Sequence, residues 1–461
     1  MERIDDYRDF FGRREWLRYT WTYAKALRIS PWALAGALLA RTCALTPPNV
    51  VAQVTADDMP MTLNILVALV GPTGSGKGKA MAHARHLIPA PMLSALVEVK
   101  PKTGESIPAK YVSKIPAVDA DGKQIKGEYT DKVVSDRLLV FMPEIVSMRA
   151  AMSRQGSTLL PSLLESFSNE PLGDDTKGKQ YQLKLPAYAY RLAAVVGVQP
   201  SNSGTLFDET QTGLAGRFLY LPSTDHDMPA LDDKPARPIV PFPFDADTLP
   251  AGNSFTQLEA LIQHGQREAM PKHGETGYPL TALDYPREAA VYADRQQVLS
   301  CSGQADPLDS HRLELVARVA ALLRLMEHDG LTVTTDDWNL ADVLVRKSDM
   351  TRDECREQRR SIATEERADR YAADNEARNR ASEKRMEVVK RRVLSALDKH
   401  DPSREGIKGY QLRQKCGKYG PDCYTAIEAL YEEGKVEQVG ASTDSTSSTL
   451  WTISPDIHIH T

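Results

Sequence analysis

Hydrophobic positions along the chain fall into runs of different period, and the periods predict the elements. The first long apolar run, Pro31 to Leu45 (PWALAGALLARTCAL), is interrupted by Arg41. It lies in a helix-compatible stretch, residues 10 to 46, that ends at Pro47-Pro48, where proline sterics stop a helix. The run falls short of the ~20 residues that cross a bilayer, so it predicts a buried helix. Leu63 to Val70 (LNILVALV) is a continuous apolar run followed at once by glycines, the pattern of a fully buried parallel strand, with a helix expected from about Lys77 to His86. Arg137 to Met142 (RLLVFM), Leu192 to Val198 (LAAVVGV) and Phe218 to Leu221 (FLYL) predict further strands of the same kind. Between them, residues 100 to 126 carry six lysines and an Asp121-Gly122 turn flanked by extended segments, which predicts a projecting ribbon.

Beyond Phe218 the texture changes. Pro229 to Pro250 is proline-rich and predicts a linker, and a mostly helical segment runs from about Ser254 to Asp353. Its clearest helix, His311 to His328, aligns Leu315, Val319, Leu322 and Met326 on one stripe. Residues 352 to 393 are dense in charge with few apolar anchors, as in a solvated linker helix. Helices at Glu383–His400, Tyr410–Cys416 and Pro421–Glu433, then strands at Lys435–Gly440 and Thr449–Ile453 around a Ser/Thr-rich loop, predict a winged-helix domain.

Composition narrows the classes. A chain of 461 residues corresponds to roughly three domains at about 150 residues each. Lys plus Arg number 57 against 62 Asp plus Glu, a net charge of -5, so any nucleic-acid surface must be a local patch. The cysteines (Cys43, Cys301, Cys355, Cys416, Cys423) show neither CxxC spacing nor a companion histidine cluster, which excludes a disulfide framework and a zinc module as expectations. The opening MERIDDYRDFFGRREW interleaves charge with apolar residues, unlike a signal peptide. A cytoplasmic protein without a membrane segment or a metal-ligand cluster is expected.

One segment carries chemistry. Gly71 to Gly78 reads GPTGSGKG, between a predicted buried strand and a predicted helix, the context of a phosphate-binding loop. Such a loop binds through Gly71, Pro72, Thr73, Gly74, Ser75, Gly76, Lys77, Gly78 and Lys79: backbone N–H groups and a helix N-terminus face phosphate, and Lys77 adds a point charge. Gly78 stands where GxxxxGK[ST] has a magnesium-linked hydroxyl, which leaves the Mg2+ geometry open. Glu144, just after RLLVFM, is the candidate to polarise a water, with Pro143 where many P-loop ATPases have aspartate; the alternative is a charge favoured by a helix N-terminus. Gln199, ending VVGVQ, is placed to orient a water. Arg217, before FLYL, is suited to reach the γ phosphate of a neighbouring subunit, or alternatively pairs with Asp225 or Glu209 at the surface.

VGPTGSGKG, the GES of Thr103 to Ser106, LLVFMPE, GSTLLP, LGDDTKGK, AYRLAAVVGVQP and GRFLYLP, in this order, resemble the ATPase core of the replicative helicase-like proteins carried by actinobacterial plasmids, integrative elements and phages. The resemblance spans about residues 20 to 350. It implies an ATP- and Mg2+-dependent AAA+ core similar to MCM helicases, in a family that also tolerates GKG and PE. It further implies that Ser310 to Leu344 forms a helical lid with a second sensor arginine, Arg312 or Arg318, the former favoured because it precedes the first buried turn. Gly173 to Tyr188, with Lys177, Lys179 and Lys184, corresponds to a hairpin that enters the channel of MCM-like rings and contacts phosphates.

The expected fold is therefore α/β: an N-terminal helical collar (1–60), a P-loop AAA+ ATPase core (61–228), a linker and helical lid (229–350), a charged linker helix (351–384) and a winged-helix domain (385–461). The expected function is an ATP-dependent DNA translocase or helicase-like motor for replication of a mobile genetic element. It acts as a homo-hexamer on single-stranded or forked DNA, with a primase or initiator as a further partner. The alternative is an ATP-binding initiator or assembly scaffold that hydrolyses weakly. A small-molecule kinase, suggested by GKG, is disfavoured by the late position of the loop and the winged helix.

Overall fold

The computed structural model describes residues 7–57, 59–91, 96–101, 104, 106–152, 157–173, 185–207, 213–250, 280–327, 330–440 and 445–455. The chain divides into two compact units, Met1–Ser361 and Ile362–Thr461.

The first unit opens with helices α1 (Tyr7–Gly12), α2 (Glu15–Leu27) and α3 (Pro31–Leu45). Every residue of α3 except Trp32 is buried, and Pro31 sits in the first turn, where a missing N–H costs nothing. Next come β1 (Val50–Gln53), β2 (Met61–Thr62), β3 (Ile65–Val70), α4 (Lys77–Leu87), β4 (Leu96–Val99), α5 (Pro108–Tyr111), β5 (Val112–Val118), β6 (Gln124–Val133) and β7 (Arg137–Met142). They are followed by α6 (Ile145–Met152), α7 (Leu159–Ser168), β8 (Arg191–Val198), α8 (Gly204–Phe207), β9 (Phe218–Pro222), β10 (Thr281–Asp284), α9 (Arg287–Cys301), α10 (Arg312–Leu325) and α11 (Thr335–His400).

The fold is mixed α/β around a parallel five-stranded sheet of order β4-β7-β8-β3-β9. β3 and β8 are buried along their whole length, which is why their sequences are apolar without alternation. Helix α3 packs on α4 and across β3, β7, β8 and β9. It approaches so closely at Gly36 that a Cβ there would collide with the Leu221 side chain and reach Val67 at 3.2 Å. A second sheet, β10-β1-β2, pairs β1 parallel to β10 and antiparallel to β2. The expected ribbon is β5–β6, whose tip is shaped by Asp119 Oδ1 accepting from the N–H groups of Asp121 (3.1 Å) and Lys123 (2.9 Å) and by Gly122 at φ +77°.

Two buried guanidiniums tie the layers together below the central sheet. Arg191 donates to the carbonyls of Pro47 (2.9 Å) and Val50 (2.6 Å) and to Thr62 Oγ1 (2.9 Å). Arg318 donates to the carbonyls of Asn64 (3.0 Å) and Phe167 (2.7 Å), with its guanidinium carbon 3.7 Å from the centre of the Phe167 ring. Burial lowers both pKa values to about 10. The predicted stripe on α10 is buried, and so is every residue from Leu315 to Leu325, because the helix is enclosed on all sides. Residues 363 to 385 of α11 are exposed throughout, as a solvated helix requires.

In the second unit, the end of α11 turns Val389, Val393 and Leu397 toward β11 (Ile407–Lys408), α12 (Gly409–Lys415), α13 (Cys423–Glu432), β12 (Val436–Val439) and β13 (Leu450–Ile453). Its sheet is antiparallel with order β11-β13-β12. Among the described residues, no helix is long and apolar enough to cross a membrane, and no group of three or more His, Cys, Asp or Glu could hold a metal ion.

Candidate functional site

The glycine loop leaves β3 at Val70 and enters α4 at Lys77. Its first residue is pinned to the neighbouring strand, Gly71 N–H donating to Val198 O at 2.9 Å. A Cβ at Gly71 would strike the Ser223 hydroxyl and meet Ser75 Oγ at 2.9 Å, so any larger residue there would force those hydroxyls to move. Gly74 (φ +80°) and Gly76 (φ +86°) take left-handed conformations that curl the loop. Ser75 Oγ and Ser223 Oγ share a hydrogen bond of 2.6 Å, and Ser223 Oγ also donates to Val70 O at 2.9 Å, fastening the loop to the end of β9.

Lys77 is folded back onto its own loop. Its ammonium donates to the carbonyls of Gly71 (2.7 Å) and Pro72 (2.6 Å) and approaches Ser75 Oγ (3.3 Å). Burial lowers its pKa, and the nearby charge of Glu144 partly offsets this. The cradle, the left-handed glycines and a lysine at a helix N-terminus form a donor set that fits a phosphate chain. For a divalent cation the side chains offer less: position 78 has no hydroxyl, and Glu144 is the carboxylate acting on Lys77. A Cβ at Gly78 would meet nothing within 4 Å, so the space a hydroxyl needs is there.

The sheet order gathers the other candidates. β8 lies between β3 and β7, and all three run parallel, so their C-terminal ends open on one edge. At Gly197 a Cβ would run into Pro143 O and come within 3.5 Å of the Lys77 side chain, which shows how closely the ends of β7 and β8 approach the loop lysine. Exposed Glu144 follows Pro143 at the start of α6, and half-buried Gln199 follows β8, its Oε1 accepting from Asn202 Nδ2 at 3.4 Å. Lys77, Glu144 and Gln199 thus share one edge. Lys79 donates to Leu27 O and Ser30 Oγ donates to Pro222 O (2.6 Å), which brings the α2–α3 turn against this edge as well.

Arg217 lies elsewhere. β9 runs parallel to β3 with Leu66 opposite Phe218 and Val70 opposite Pro222, so Arg217 stands at the entry of β9 while the loop stands at its exit. Five strand residues separate them, about 16 Å at ~3.3 Å per residue. Burial lowers the Arg217 pKa against the pull of Glu314 and Glu170, and its guanidinium carbon is 5.8 Å from the Phe167 ring centre. Arg318 contacts Asn64 O, at the entry of β3. Arg312 is committed to Asp342 (2.8 Å), Asp349 (3.1 Å) and Tyr292 Oη (2.6 Å); burial opposes its charge, but these partners outweigh it and raise its pKa. The channel candidates Lys177, Lys179 and Lys184, like Glu209, lie outside the described residues.

A groove of about 670 Å³ opens between Tyr19, His86 and residues 237 to 248, at the far end of α4 from the loop, and contains none of the candidate groups. In the second unit, Arg413, Lys415 and Lys418 are exposed, with Lys418 lying 5.1 Å from the Tyr419 ring centre. Three acids on α13 and at its ends are partnered: Asp422 with Arg385 (2.7 Å), Glu433 with Lys435 (2.6 Å) and Lys390, and Glu428 with Thr446 Oγ1 (2.6 Å). Ser75–Ser223 and Gly197 were missed in the sequence, since their roles arise from strands that adjoin only in the sheet. Neither a family model nor a curated relative matches the chain.

Proposed function

We propose that the first unit is a P-loop ATPase core of the AAA+ type with a helical lid, and that the second is a winged-helix module. Together they work as an ATP-dependent motor that moves or melts single-stranded or forked DNA in the replication of a mobile element. The observation that carries this reading is the split of the candidate groups between two ends of one sheet. Lys77, Glu144 and Gln199 share the edge beside the glycine loop, whereas Arg217 stands at the entry of β9. An arginine so placed cannot complete its own chain's site, and a second copy arranged head to tail supplies it; closure of such contacts gives a ring, a homo-hexamer being the form we propose.

In this reading Lys77 exchanges its carbonyl partners for phosphate oxygens, Glu144 takes a proton from the attacking water, and Gln199 orients that water. When bound, Mg2+ would neutralise charge on the phosphates, and Glu144 is the carboxylate of this chain that would lie near it. The test is DNA-stimulated ATP hydrolysis: present in the wild type and lost in both Lys77→Ala and Arg217→Ala. Hydrolysis unaffected by either substitution would overturn the mechanism.

A second reading, an ATP-binding initiator or scaffold with weak turnover, is favoured by Gly78, Pro143 and the self-satisfied Lys77 ammonium. ATP-dependent assembly without hydrolysis supports it.

A further inference from the structure

Cys416 follows α12 and Cys423 opens α13, with the turn Gly417–Asp422 between them. Their sulfurs lie 3.4 Å apart, and both side chains are fully buried in the core of the second unit. Six residues separate them in sequence, a spacing that matches no redox motif; helix packing is what brings the sulfurs together. The cover over Cys416 is thin: Arg413, Gln414, Lys415, Gly417 and Lys418 on either side of it are exposed, so opening one surface turn uncovers the sulfur.

We propose that Cys416 and Cys423 are a thiol-modification site that forms an intramolecular disulfide by exchange with a small-molecule disulfide of the glutathione class. The sulfurs must close from 3.4 Å to about 2.05 Å. The pair is already polarised: Cys416 is the more acidic thiol because Cys423 hydrogen-bonds to it and Arg392 is near, whereas that bond and burial push Cys423 up, against Arg413.

Cys416 thiolate attacks one sulfur of the oxidant, whose S–S bond breaks and releases one thiolate, leaving a mixed disulfide on Cys416. Cys423 then loses its proton and attacks Cys416 Sγ, expelling the second thiolate. Two protein thiols are oxidised, one small disulfide is reduced to two thiols, and the protons of Cys416 and Cys423 end on the two leaving groups. The bond closes the Gly417–Asp422 turn, which carries exposed Lys418, into a ring, so oxidation acts on the turn that follows the basic end of α12.

The test uses the full chain with the exposed Cys301 changed to serine, incubated under native conditions with glutathione disulfide and mapped by peptide mass. The expected result is the loss of two free thiols, with the Cys416 and Cys423 peptides joined. In the same background Cys423→Ala, which lacks the resolving thiol, retains glutathione on Cys416 as a stable mixed disulfide, and neither single variant joins the two peptides. Free thiols at both positions, under conditions in which Cys301 of the unsubstituted chain is modified, would overturn the proposal, as would a Cys416 left unmodified in the Cys423→Ala variant.

Discussion

At the scale of single residues, the loop is closed on itself, and binding is an exchange of partners. Lys77→Ala removes the charge that, in the proposed site, faces phosphate, and should weaken ATP binding at least tenfold, about 1.4 kcal/mol or more, as read by fluorescent-nucleotide titration. Gly78→Thr tests the missing hydroxyl: with open space at that position, the variant should bind ATP more tightly when Mg2+ is present and unchanged when it is chelated. Equal affinities in both conditions would show that the hydroxyl has no metal to meet.

Glu314 offers a pH test at the same scale. Burial works against its charge, but the hydrogen bond from His311 (3.2 Å) and the charges of Arg318 and Arg217 outweigh burial and hold its pKa below the usual 4.5. A carboxyl depressed in the folded state stabilises fully above its unfolded pKa and loses that contribution as pH falls through its folded pKa. Glu314→Gln should therefore cost about 1–2 kcal/mol near neutrality, and the gap from wild type should close in acid below the ordinary carboxylate range. Urea midpoints measured across pH check this.

The glycine loop was legible because its groups are contiguous: glycines, lysine and helix start follow one another in eight residues. Ser223 and Gly197 were not, because each acts only once β9 and β8 lie beside β3.

At the scale of elements, β3, β7, β8 and β9 could be read from composition, since a strand covered on both faces has no polar alternation to disguise it. β1, β2 and β10 escaped because two- and four-residue strands carry too few positions to show a period. The α10 stripe was correct but too narrow, since a helix enclosed on all sides also buries Arg318 and Arg324, two cations that an apolar stripe does not predict. Arg318→Met tests how much that enclosure depends on the buried cation. It leaves the carbonyls of Asn64 and Phe167 without their Arg318 donor and removes the Arg318 partner of Glu314, and it should cost about 3–5 kcal/mol in denaturant unfolding. A loss under 1 kcal/mol would show that Arg318 is dispensable to the junction.

At the scale of the whole molecule, a site completed by a neighbour can be rebuilt from two inactive partners. If Arg217 acts in trans, mixing Lys77→Ala with Arg217→Ala chains restores sites that pair an intact loop with an intact arginine, about a quarter of all sites under random assembly. ATPase recovery toward that fraction is the expected outcome; no recovery, with co-assembly verified, would place Arg217 outside the catalytic site.

Helix α3 has a consequence for how the chain is made. Its nearly uniform apolar surface is covered in part by β8 and β9, and β8 begins roughly 150 residues after the helix ends. At ribosomal speeds of about 5–20 residues per second, the helix is synthesised roughly 7–30 s before the strands that shelter it. During that interval only α2, α4, β3 and, later, β7 are present to cover it, so the face that β8 and β9 will shelter stays open on the growing polypeptide, and yield in a cell depends on chaperone capture of the nascent chain as much as on the stability of the finished fold.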